Sequence, residues 1–201
     1  VLGRTLMELK GYSCIGLDEN PAIKKQIIVS RTFGHRVTDL DSINEAVSNY
    51  AVRAAEKLRK ENQYCKMISV FIRTNYFRKQ DKQYNGMLSY KLGSPTNDTR
   101  DIVSASKSLA KNIFRNNYNF IKAGVLLSDF YDEGVKQSDF FIPHKEKIGA
   151  KKLMQTIDRI NLSGIGRVSF AAQGMKQSWS MKRELKSPRY STNWQELLTV
   201  K

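Results

Sequence analysis

Apolar and polar positions along this chain repeat with two different periods, and each change of period marks an element. The run Lys24-Lys25-Gln26-Ile27-Ile28-Val29-Ser30-Arg31-Thr32-Phe33-Gly34 is β-branched between basic and hydroxyl residues and predicts a strand. Asp39 and Asp41 then offer N-cap oxygens to a helix reaching about Glu61. Its stripe is Ile43, Ala46, Val47, Tyr50, Ala51, Ala54 and Leu58, with Arg53, Lys57 and Lys60 off it. Lys66 to Thr74 alternates, Ile68, Val70 and Ile72 against Ser69, Phe71 and Arg73, and Met87 to Leu92 alternates again. Asn75 to Asn85 is turn-rich and joins the two as a hairpin. Asp98, with Asp101 three residues on, has the spacing of a capping box and starts a helix through Ile102, Ala105, Leu109 and Ile113. Tyr118 to Phe130 is the last long strand, with Ile121, Ala123, Val125 and Leu127 in one phase and Phe120, Lys122, Leu126 and Ser128 in the other.

The order β-α-β-β-α-β predicts an α+β domain of about four strands, with both helices on one face and the other face open. If the β-branched phase faces the helices, then Ser69, Arg73, Ser89, Lys91, Lys122 and Ser128 emerge together on the open side. Arg31 shares the phase of Ile27 and Val29, so its place there requires a bulge or twist at the strand end. Lys24, Lys25, Ser30, Arg31 and Thr32 would extend the same set of phosphate donors along the first strand. Such a face suits holding phosphates without reading bases; a solvated face with scattered charges is the plainer alternative.

The flanks read differently. Gly3 to Lys10 is helical and stops at Gly11, and Cys14 to Pro21 is acidic and aperiodic, so residues 1–23 are expected to be the end of an upstream domain and a linker. Residues 134–147 carry Gln137, Ser138, Asp139, Phe140 and Phe141, apolar side chains on a loop that either fold back or meet a partner. From 148 to 201 a smaller α/β extension is expected, a helix from about Ile148 to Leu162 and a strand over Arg167 to Ala172.

Charge narrows the partners. Lys and Arg outnumber Asp and Glu by 34 to 19 in 201 residues, a formal net charge of +15, which points to nucleic acid or an anionic surface. There is no apolar run of membrane-spanning length and no signal-peptide pattern, so the expectation is a soluble, cytoplasmic chain. Cys14 and Cys65 read as buried thiols, and with His35 and His144 they offer no zinc spacing. No Walker loop, nucleophile elbow or paired strand carboxylates point to catalysis. The densest acidic group, Asp129, Asp132 and Glu133, suits a strand end as well as it suits a cation.

Several stretches together resemble a known family. Ser30-Arg31-Thr32-Phe33-Gly34, Ala54-Ala55-Glu56-Lys57-Leu58-Arg59, Pro95-Thr96-Asn97-Asp98-Thr99-Arg100-Asp101-Ile102, Lys122-Ala123-Gly124-Val125, Met181-Lys182-Arg183 and Ser187-Pro188-Arg189-Tyr190 are similar, in order and spacing, to the C-terminal part of the UmuC family of Y-family translesion DNA polymerases. The resemblance implies that residues 1–23 end a thumb domain, that 24–133 form a little finger laid against the DNA major groove, and that 148–201 are a UmuC-type extension. It implies a bacterial parent chain that is a DNA-directed DNA polymerase of the SOS response, with Mg2+ held by palm carboxylates upstream. In this stretch it implies neither cofactor nor catalysis. Gln137 to Phe141 sits where the family carries its motif for the β sliding clamp, with Ser138 and Phe140 departing from the usual leucines. A UmuD-derived subunit and the RecA filament are the family's other implied partners. Two further readings stay open on the residues alone, a protein-interaction module without a DNA grip and an RNA-binding sheet, although Lys66 to Thr74 lacks the glycine-aromatic pattern of the latter.

Overall fold

A computed structural model describes residues 2–14, 23–133, 147–164, 166–175, 177–181, 185–191 and 193–197. Helix α1 (Leu2–Leu9) buries none of its residues and ends before Gly11, whose φ of +87° is left-handed. The body of the molecule is β1 (Gln26–Val37), α2 (Leu40–Lys60), β2 (Gln63–Thr74), β3 (Asn85–Thr96), α3 (Thr99–Ile113) and β4 (Phe120–Asp132). The strands form one antiparallel sheet in the order β1-β4-β2-β3. Each helix therefore crosses over one intervening strand, α2 from β1 to β2 and α3 from β3 to β4. Two right-handed crossovers interleaved in this way put both helices on one side.

Helix α2 starts where its sequence says it should, because the Asp39 carboxylate accepts the Ser42 N–H at 2.7 Å. Its stripe, Ile43 to Leu58, is wholly buried. Packed against it are Ile27, Val29, Phe33, Ile68, Val70, Ile72, Ala123, Val125 and Leu127 of the sheet and Ile102, Leu109 and Ile113 of α3. At the start of α3 the expected capping box does not form. Asp98 accepts the Arg100 N–H at 2.8 Å, but the Asp101 carboxylate is drawn outward to Lys147 at 2.7 Å and to the Thr96 hydroxyl at 3.4 Å. Burial pushes the Asp98 carboxyl up, but hydrogen bonds and charge from Arg100 outweigh it, and the carboxyl titrates below its ordinary range.

The C-terminal extension differs from its expectation. It contains α4 (Ala150–Ser163) and 3-10 turns at Ala171–Gln173 and Trp194–Glu196, with no strand among the described residues. Arg167 to Phe170 joins no strand, and the strand expected over Arg167 to Ala172 gives way to the turn at Ala171–Gln173. The extension packs on the helical layer. Arg59 of α2 meets Asp158 of α4 through two 2.7 Å hydrogen bonds and also holds the Asn97 carbonyl at 2.9 Å and the Thr99 hydroxyl at 2.8 Å. Trp179 is 4% exposed, edge-on to Tyr50 at 5.7 Å and Phe33 at 6.1 Å. Its carbonyl accepts the Gly34 N–H at 3.0 Å, and a Cβ on Gly34 would stand 2.5 Å from the Ser180 carbonyl oxygen, so only glycine admits this approach. Cys65 is buried and its thiol is pushed up to about 12 by desolvation, whereas Cys14 is only half-buried.

Two outcomes follow from this packing. A Cβ at Gly124 would lie 2.4 Å from the Phe71 ring and 2.5 Å from the Ser30 Cβ, so Gly124→Ala should lower stability by about 1–3 kcal/mol in urea unfolding; an unchanged midpoint would contradict the packing. Because the Asp98 carboxyl is depressed in the folded state, its contribution is present above its ordinary value of 3.8 and is lost as pH falls through the lower folded value. Asp98→Asn, which keeps a capping oxygen, should therefore show a shallower loss of stability below pH 3.8 than the parent chain, and equal acid slopes would refute the assignment.

Candidate nucleic-acid interface

Strand register decides what the bare side of the sheet presents. Ile68, Val70 and Ile72 of β2 stand opposite Leu127, Val125 and Ala123 of β4, and all of them pack under the helices. The alternate positions must point the other way. They form cross-strand rows: Thr32, Lys122, Arg73 and Asn85; then Ser30, Gly124, Phe71 and Met87; then Ile28, Leu126, Ser69 and Ser89; and last Gln26, Ser128, Met67 and Lys91. No position in these rows is acidic.

Arg73, Lys91 and Lys122 thus share one surface. Arg73 and Lys91 are exposed, and Lys122 is half-buried. The Arg73 guanidinium lies 4.9 Å from the centroid of the Phe71 ring, which holds the cation flat against the sheet. That ring can lie across the sheet because Gly124 has no side chain beneath it. Thr32 and Ser89 are exposed, and Ser30 and Ser128 half-buried. Ser69 is 2% exposed and shares a 2.7 Å hydrogen bond with the Ser89 hydroxyl, so of these two it is Ser89 that faces solvent.

The other first-strand residues lie elsewhere. Lys24 and Lys25 precede β1, and Lys24 is ion-paired with Glu61 at the end of α2. Arg31 pairs with Ala123 and keeps the helix-side phase. The register shift in β1 falls between Thr32 and Val37, too late to turn it. Arg31 instead lines a cavity at the β1 edge with Tyr50 and Arg53. Gln137, Ser138, Asp139, Phe140 and Phe141 lie outside the described residues.

The register also brings in residues that single-strand reading did not select. Asn85 extends the row of Arg73, Met67 stands beside Lys91, and Ile28, Met87 and Leu126 make the middle of the face apolar, Ile28 and Met87 being more than half exposed. Counting alternate positions across all strands at once would have found them. Arg73 and Met67, whose neighbour is Lys91, are six residues apart on β2, about 20 Å at the rise of a strand. The face therefore has two cationic ends and a neutral middle.

Comparison with known proteins places these features in a family. The C-terminal domain of the impB/mucB/samB family matches residues 24–140, and a domain of unknown function matches residues 151–200. Protein UmuC of Salmonella typhimurium is 45% identical over all of this chain and 48% of its own length. ImpB of Salmonella typhimurium and MucB of Escherichia coli are each 44% identical over 98% of this chain and 46% of theirs. The chain spans about half the length of these relatives. A solved complex of the beta-clamp processivity factor and the little finger domain of PolIV aligns with 62% of this chain at 10% identity and a TM-score of 0.40, a likeness too slight to bear on function.

Proposed function

This chain belongs to the impB/mucB/samB family, and from that footing we propose that it is the DNA-holding module of an error-prone translesion DNA polymerase, gripping primer-template DNA by its backbone and performing no chemistry itself. The observation that carries the reading is the acid-free face on which Arg73, Lys91 and Lys122 converge. Its two cationic ends, about 20 Å apart, bracket a major groove about 12 Å wide once several ångströms of side-chain reach are allowed. Lys122 and Arg73 would serve one backbone and Lys91 the other. The low middle of Gly124, Ser69, Ser89 and Met87 carries no fork of donors fitted to base edges, in keeping with a sequence-tolerant grip. The clamp tether assigned to Gln137 to Phe141 rests on the sequence resemblance alone.

One observation favours a second reading, a protein-docking surface: Ile28 and Met87 are 56% and 52% exposed on the same face. Salt separates the two. Three phosphate contacts give a slope of log affinity against log salt of about −2.7 on duplex DNA. Changing Arg73, Lys91 and Lys122 together to Gln should remove most of that slope and weaken all duplex sequences alike, measured by fluorescence anisotropy. DNA binding that is undetectable, or flat between about 50 and 200 mM salt, would favour protein docking instead.

A further inference from the structure

Arg31 is turned away from the open face, and it opens onto a second feature. A cavity of about 630 Å³ lies at the β1 edge, walled by the end of the sheet, by α2 and by the extension. Four of its lining residues, Arg31, Arg53, Lys122 and Lys186, are cationic and none is acidic. Among the described residues none of the four is in an ion pair. Two more lining residues are buried and carry donors that, among the described residues, have no partner and are themselves shut off from solvent, the Tyr50 hydroxyl and the Trp179 indole N–H. A buried donor left unpaired costs about 1–3 kcal/mol. Burial raises the Tyr50 phenol well above its ordinary range, although Arg53 and Arg31 pull it down, so it remains a donor. Cations together with neutral donors, and no acceptor charge, match an oxyanion with several free oxygens.

Position narrows the choice of anion. Thr32 and Lys122 belong both to this cavity and to the outermost row of the open face, Thr32-Lys122-Arg73. A backbone following that row reaches the cavity without leaving the protein. Its phosphates recur about every 3.4 Å of axis along one strand, so more than one can engage four cations.

We propose that this cavity receives phosphates of a DNA strand that leaves the open face over the β1 edge, and that Trp179 and Lys186 of the extension complete the site. The inference rests on the DNA-holding reading and enlarges it: the extension, whose matching family has no assigned function, becomes part of the DNA-contacting surface.

The test uses the whole chain with Trp194→Phe, which leaves Trp179 as the sole indole, since the sequence has 2 tryptophans. The cavity variant Tyr50→Phe/Arg53→Gln is compared with the face variant Arg73→Gln/Lys91→Gln on a primer-template duplex and, separately, on inorganic phosphate. Tyr50→Phe removes a hydroxyl that lacks a partner, so the cavity variant should melt no lower than the parent. It should bind DNA roughly five- to tenfold more weakly, lose about one unit of salt slope and lose the change in Trp179 emission on DNA addition. The face variant should weaken binding yet keep the Trp179 response at saturating DNA. Parent-like affinity and salt slope in the cavity variant, alongside a weakened face variant, would overturn the cavity proposal and spare the open face. No weakening in either would overturn both. A Trp179 response saturated by inorganic phosphate alone and not displaced by DNA would show a free-phosphate site and overturn the assignment to DNA.

Discussion

The central strands β2 and β4 lie side by side, and one phase of each is clamped under two helices. Ile68, Val70, Ile72, Ala123, Val125 and Leu127 are fully buried there, each large side chain contributing about 1.5–3 kcal/mol by leaving water. Because side chains alternate with a period of two, fixing that phase fixes the other. Slipping either strand by one residue would drive Arg73 and Lys122 into the core, where an unpaired charge is far costlier than the lost burial. Core packing therefore sets the cationic face, and no separate device is needed to aim Arg73, Lys91 and Lys122 one way.

The extension bears on this face by where it does not sit. Its anchors, Asp158 on Arg59 and Trp179 between Tyr50 and Phe33, lie on the helical layer. The Arg59 and Asp158 side chains are only 10% and 24% exposed, and the guanidinium is satisfied by four short contacts, so the pair joins two parts of the chain rather than decorating a surface. Among the described residues the extension meets the open rows at the β1 edge, where Gly34 lets the chain pass close to the strand.

The helices and strands were legible because their signals are local. Asp39 caps α2, and the Ile43-to-Leu58 stripe meets the sheet as its spacing indicates. The phase of Arg73, Lys91 and Lys122 could be read because period-two alternation needs no partner to count. What could not be read depended on distant residues. Lys24 belongs with Glu61, which only the fold brings near, and Ser69 is hidden by a hydrogen bond to Ser89 across the sheet. Asp101 had the spacing of a capping box, but Lys147 lies close enough to claim its carboxylate. Trp179 carries no local pattern that would name Tyr50 and Phe33 as its neighbours, and Arg167 to Phe170 has a strand's composition but pairs with no strand of the sheet.

The central claim is that duplex DNA lies on the bare side of the sheet, and chemical-shift mapping by NMR on adding a short duplex tests it most directly. The expected result is that Thr32, Arg73, Ser89, Lys91 and Lys122 move together, with the exposed surface of α3, and that of α2 away from the β1 edge, unperturbed. Shifts concentrated on the helical layer, with those five residues still, would contradict it.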